Sequence, residues 1–242
     1  MLRETFVGTA AFLGYYLAMV AVLFSLSRWL KLPGELFRKL FHVSVAASAF
    51  VLVHMFETWY LAALAAVSVG LLSYLVITWA ERFPRIMKAL RERAPGEVRS
   101  SLTLIFLTMI GLITLGWGWL GAEARYMVIA PLMAWGFGDA AAALVGKRWG
   151  RRPLTHTWVD NSKTAEGTIA MLVSAAAAVL ATLLIYTPWQ WFISLPIALL
   201  VAPVSAITEL ITRDGLDTIT VPFATFAWLL AITRVLMWVG VL

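Results

Sequence analysis

Three ionisable residues, His42, Asp139 and Glu209, stand inside long apolar stretches of this 242-residue chain. Charged groups within hydrocarbon are costly and are usually kept for chemistry. Each lies close to one end of its stretch: His42 three residues in, Asp139 seven residues before Gly146, Glu209 three before Thr212. Beyond those ends come Arg38, Lys39, Lys163, Glu166, Asp214 and Asp217. Carboxylates interleaved with cations suit a magnesium–nucleotide site. There the metal bridges phosphate oxygens through one or two protein carboxylates while Lys and Arg neutralise developing charge. The chain has no cysteine, which excludes disulfides, thiolate nucleophiles and metal sites built on Cys.

These residues fall in four short motifs. Glu35-Leu-Phe-Arg38-Lys39-Leu-Phe-His42 puts Arg38, Lys39 and His42 on one helical face, as a phosphate clamp or as a basic flank beside an interfacial histidine. Gly136-Phe-Gly138-Asp139 leads through four alanines to Gly146-Lys147-Arg148-Trp-Gly150. Its small residues allow a helix or ligand to approach a buried carboxylate closely. It is not a P-loop, because Ala141 takes the place of the first glycine and Arg148 that of the Ser/Thr. Asn161-Ser162-Lys163-Thr164-Ala-Glu166-Gly167-Thr168 also reads as a helix start capped by Ser162 or Thr164, with Glu166 on the positive end of the dipole. Asp214-Gly215-Leu-Asp217-Thr218-Ile-Thr-Val-Pro222 likewise suits an Asp-capped start.

The elements that must position these motifs are membrane helices. The chain is 62% hydrophobic and 13% charged, with 12 Trp and 13 Phe, more apolar surface than a soluble core of this size uses. Eight stretches of about the length needed to span a bilayer are expected: Thr5–Leu26, Leu40–Phe56, Thr58–Ala80, Ser100–Ala122, Tyr126–Gly146, Gly167–Tyr186, Trp189–Thr212 and Thr218–Leu242. None alternates as barrel strands do, so the fold class is all-α, a polytopic membrane helix bundle forming one domain over residues 1–242. The first stretch reads as a retained span rather than a signal peptide, given its length and the Arg28 that follows. With both termini outside, segments 27–39, 81–99, 147–166 and 213–217 face the cytoplasm and hold 16 of the 19 Lys and Arg residues. The positive-inside rule therefore fixes the orientation, and Arg82, Arg85, Lys88, Arg91 and Arg93 serve topology and attraction to anionic lipid. Four helices then begin at the cytoplasmic face, where their amide donors favour phosphates. The net charge of +6 thus reflects topology rather than nucleic-acid binding. His54 and Arg234 read as interfacial, and His156 as solvated.

In this order the motifs resemble the CTP-dependent lipid-alcohol kinases: dolichol kinase, phytol kinase and the fungal CTP-dependent diacylglycerol kinase. The match runs through Arg38-Lys39-His42, Gly138 to Gly150, Lys163 to Thr168, and Glu209 with Gly215 to Pro222, and Pro95-Gly96-Glu97-Val98 resembles a further family feature. Thr218 stands where the family usually has Asn. The resemblance implies a catalytic face built from segments 27–42, 95–101, 136–168 and 209–222. It implies transfer of the terminal phosphoryl of CTP to a polyprenol, a phytol-like alcohol or diacylglycerol in the cell membrane. Asp139 and Asp217, with Glu209 third, are then expected to hold Mg²⁺. Arg38, Lys39, Lys147, Arg148 and Lys163, with backbone at Gly138, Gly146, Gly150 and Gly167, would hold the nucleotide. Glu166, ahead of His42, would accept the hydroxyl proton. A homodimer is compatible with this reading.

Two other readings follow from the same residues. A phosphatidate cytidylyltransferase also uses CTP and magnesium, but usually carries Pro-Gly-His-Gly-Gly and Asp-Arg-x-Asp, whereas Asp214-Gly-Leu-Asp217 has neither His nor Arg. An ion-coupled transporter would place its acids near the midplane between repeats, and no repeat is visible.

Overall fold

The computed structural model describes residues 2–159, 163–213 and 215–242. Asn161, Ser162 and Asp214, singled out above, lie outside them. Among the described residues the chain is helical, with no strand and one isolated antiparallel bridge, Pro153 to Thr164. Eight helices are long and apolar enough to cross a membrane, as the sequence leads one to expect. The chain divides into two compact units, residues 1–114 and 115–242.

The first unit holds α1 (Leu2–Leu30), α2 (Gly34–Met55), α3 (Trp59–Ala80), the short α4 (Pro84–Ala89) and α5 (Glu97–Leu112). Several polar groups inside it are paired, as hydrocarbon favours. Tyr16 Oη and the buried Ser48 Oγ are 2.9 Å apart, and Ser48 donates to the Val45 carbonyl. Glu4 accepts the amides of Glu57 and Thr58 at 2.9 and 3.0 Å, tying the start of α1 to the α2–α3 turn. Arg99 on α5 bridges to Glu81 after α3 at 3.0 Å. Gly70 lets α3 close on α5, since a methyl group there would lie 2.9 Å from the Phe106 ring.

The second unit holds α6 (Tyr126–Trp149), α7 (Ala165–Tyr186), α8 (Trp191–Ile211) and α9 (Asp217–Trp238). A π-helical turn, Ile113–Trp119, follows α5. α6 is the central helix, buried from Tyr126 to Gly136. It carries Pro131 within its span, as α8 carries Pro196 and Pro203 and α9 carries Pro222. Neighbouring helices and hydroxyls make such prolines tolerable. One buried pair, Ser205 and Thr225 at 2.7 Å, joins α8 to α9. Outward-facing side chains in both units are apolar: Phe6 and Ile185 are 78% and 72% exposed, which suits acyl chains rather than water.

Several boundaries differ from expectation. The second span begins at Gly34, not Leu40, so the helix already contains the Arg38 and Lys39 that segment 27–39 set before it, on the helical face their spacing gave them. Arg38 pairs with Glu35 one turn away at 2.6 Å, which lowers the cost of carrying that charge in the helix and extends it. Segment 81–99, read as a loop, contains α4, started by Pro84 at its first position. α6 runs on to Trp149, so Asp139 lies ten residues from its end, about 15 Å along the axis rather than about 10 Å. The last helix ends at Trp238.

Candidate functional site

In the second unit the chemistry gathers where α6 and α8 end and α7 and α9 begin. Glu209, 2% exposed on the last turn of α8, accepts an ion pair from Lys163 Nζ. The same ammonium lies 3.3 Å from the Glu209 main-chain oxygen. Lys163 therefore crosses from the foot of α7 to the end of α8, where a cation also complements the negative helix terminus. Asp139, 8% exposed on α6, and Asp217, in the first turn of α9, both act electrostatically on Glu209. Both other acids expected to serve a metal thus lie within Coulombic reach of Glu209. Among the described residues no group of three His, Asp or Glu side chains could by itself hold a metal ion. Mg²⁺ bound with nucleotide phosphates uses only one or two protein carboxylates, so hard oxygen donors from Asp139 and Asp217 fit that ion.

At the start of α9 the expected Asp cap does not fall on Asp217, and Asp214 lies outside the described residues. Leu216 occupies the cap position, and Asp217 instead accepts from the indole Nε1 of Trp135 at 3.1 Å. Trp135, 2% exposed, was not singled out in the sequence. Its spacing four residues before Asp139, one turn along α6, is the signal that points to it. Thr218, buried beside Asp217, stands on the same turn.

Thr164 caps α7, its hydroxyl accepting the Gly167 amide at 3.2 Å. Glu166 turns back to the preceding loop, where its Oε2 accepts the amides of Arg151 and Arg152 at 3.1 and 3.3 Å. Neither arginine was foreseen as its partner, because main-chain contacts leave no mark on residue type. Arg152 and Lys163 also meet their counterparts through main chain: Leu154 donates to the Lys163 carbonyl and Ala165 to the Arg152 carbonyl, both at 3.0 Å.

The glycines expected beneath a nucleotide are occupied by helix packing. A methyl group at Gly167 would lie 2.9 Å from the Ala142 carbonyl oxygen and 3.4 Å from the Gly146 Cα. One at Gly138 would meet the Met171 thioether, and one at Gly150 would lie 2.7 Å from Thr164 Cγ2. Glycine here lets α6 and α7 touch backbone to backbone. Lys147 and Arg148 are exposed at the end of α6, with Arg148 stacked 5.2 Å over Trp149.

In the first unit, Arg38 bridges Glu35 at 2.6 Å and Glu97 at 3.6 Å, and Arg93 pairs with Glu35. Pro95-Gly96-Glu97 has a structural task in this network. Gly96 takes the left-handed conformation (φ 82°) that glycine adopts without strain, and Glu97 opens α5 facing Arg38. Lys39, 5% exposed, and His42 lie on the same helix within one turn.

The chain is 33% identical over 219 residues to the phytol kinase of Synechocystis sp., an overlap of 88% of this chain and 87% of that protein. No protein-family profile matches the chain, and no solved structure matches it.

Proposed function

Because the chain belongs to the lipid-alcohol kinase family that includes phytol kinase, we propose that it transfers the terminal phosphoryl of CTP to the hydroxyl of a phytol-like isoprenoid alcohol at the cytoplasmic membrane face. The observation that carries this reading is the cluster of Asp139, Lys163, Glu209 and Asp217 at one end of an otherwise apolar bundle. The alcohol oxygen bonds to the γ-phosphorus, the bridging P–O bond breaks, CDP leaves, and the hydroxyl proton passes to a base. Phosphoryl transfer asks mainly for positioning and electrostatic stabilisation.

In this proposal Asp139 and Asp217 hold Mg²⁺, which when bound neutralises phosphate charge. Trp135 fixes the carboxylate of Asp217 through the indole hydrogen bond. Lys163 is held by Glu209 until phosphate arrives, then turns its charge to the transferring group. Lys147 and Arg148, exposed at the end of α6, meet the remaining phosphates. The motif resemblance adds Arg38 and Lys39 for phosphate. Glu166 is the first candidate base, anchored on the loop amides, and His42 the second.

The test is purified protein in nanodiscs with labelled CTP or ATP and a panel of phytol, polyprenol and diacylglycerol. The expected result is CDP release with phytol phosphorylated, CTP preferred over ATP, and loss of turnover in excess EDTA. Pyrophosphate release would replace this reading with a cytidylyltransferase. Equal use of ATP would refute the nucleotide assignment.

A further inference from the structure

Around the lower end of the first unit the acids are all committed. Glu35 pairs with Arg38 and Arg93, and Glu81 with Arg99. Glu92 accepts the amides of Gly96 and Val98 at 3.0 and 3.4 Å, and Glu97 accepts the Arg93 amide at 2.8 Å. Four cations on the same face share none of these acids: Arg28, Arg85, Lys88 and Arg91. They surround one open cleft of about 580 Å³, completed by Phe24, Ser25 and Ser27. Among the described residues no acid lines it.

Helix chemistry accounts for part of this arrangement. Arg28 and Lys88 lie in the last turns of α1 and α4, where cations complement the dipole. Arg85 does not fit that account, because it sits in the first turn of α4, where the dipole disfavours a cation. Arg91, just past the end of α4, suits the dipole but not the backbone conformation it takes. α4 ends in a Schellman motif: the Glu92 amide donates to the Met87 carbonyl and the Arg91 amide to the Lys88 carbonyl, both at 3.2 Å. The left-handed residue of that motif is normally glycine, yet here it is Arg91 with φ 61°. A strained arginine that closes a ring of like charges is a feature of ligand clamps.

The cleft also lies at the level of an interface. Trp29 is 82% exposed beside Arg28, and Phe83 and Ile86 are exposed among the cations of α4. Trp79 and Phe83 rings pack 4.8 Å apart at the end of α3. Aromatic side chains of this kind settle at headgroup depth, with apolar residues toward the acyl chains and cations toward phosphate. We infer that the cleft between the end of α1 and α4 is a binding site for the phosphate of an anionic phospholipid headgroup. The cations take the phosphodiester charge, Ser25 and Ser27 supply hydroxyl donors, and the acyl chains run along the exposed apolar sides of α1 and α4. This site is independent of the kinase reading.

The experiment is native mass spectrometry of full-length protein in detergent with added phosphatidylglycerol or phosphatidylcholine. Wild type should retain phosphatidylglycerol in preference to phosphatidylcholine and melt at higher temperature with it. Arg85→Gln with Lys88→Gln should lower retention about tenfold or more. A charge-matched control outside the cleft, Lys31→Gln with Arg82→Gln, should retain nearly all of it; an equal loss there would reduce the effect to bulk attraction and overturn the site. Arg91→Gly separates binding from folding. It relieves the left-handed arginine, so the melting temperature without lipid should hold or rise while phosphatidylglycerol retention falls. Unchanged retention in Arg91→Gly and in the double variant would overturn the proposal. So would complete displacement of the lipid by millimolar pyrophosphate, which would mark a soluble-anion site.

Discussion

Asp139 is the residue whose two readings differ most in consequence. As a magnesium ligand it stabilises the transition state, so Asp139→Asn should cut turnover by roughly 10³, at about 1.4 kcal/mol per tenfold. Folding should survive, because an amide is cheaper to bury than a carboxylate. If Asp139 instead only balances a neighbouring cation, the same change lowers the detergent melting temperature and leaves the turnover of surviving protein near normal. Melts and turnover on one preparation decide between them. Glu166 offers a second separation. Glu166→Gln keeps an oxygen for the Arg151 and Arg152 amides but cannot take a proton. Turnover should drop by roughly 10² to 10⁴ with the melt unchanged, and a near-normal rate would move the base to His42. Asp139 and Glu209 were legible in the sequence because charge inside apolar stretches is conspicuous, and Lys163 and Asp217 because they stand in the polar motifs that flank those stretches. The partners were not: the pairing of Lys163 with Glu209 and of Trp135 with Asp217 joins residues 46 and 82 positions apart, which only the packed helices bring together.

At the scale of elements, α6 and α7 are joined by missing side chains. Gly167→Ala should destabilise the bundle by about 1–3 kcal/mol, since the added methyl meets main chain, which cannot swing aside as a side chain can. A melting temperature equal to wild type would show that the helices have room to spare. Gly138→Ala should be milder, because its obstacle is the flexible end of Met171. Hydropathy located all eight spans, and its error at the second has a plain cause. Glu35, Arg38 and Lys39 lower the apolar average at the start of α2, but neighbouring opposite charges let the helix carry them. α4 escaped notice for a related reason: six residues with two cations carry too little periodicity to stand out from a basic loop.

For the whole molecule, the basic segments predict one orientation. The chain contains no cysteine, so single cysteines report topology without background. Glu123→Cys, exposed between the π-helical turn and α6, should react with a membrane-impermeant maleimide in intact cells. Arg151→Cys, exposed after α6, should react only after lysis; the reverse pattern would invert the protein. The link over residues 150–164 has a further consequence, one measured in time. Its described residues form no helix, yet its base is laced shut: Arg151 and Arg152 amides on Glu166, Leu154 on Lys163, Ala165 on Arg152. In deuterated buffer those four amides should label slowly while the exposed stretch from Thr155 to Trp158 labels at once. Their exchange is then a clock for how often the link opens, readable with no substrate present. Fast labelling at all four would mean that the lacing is transient.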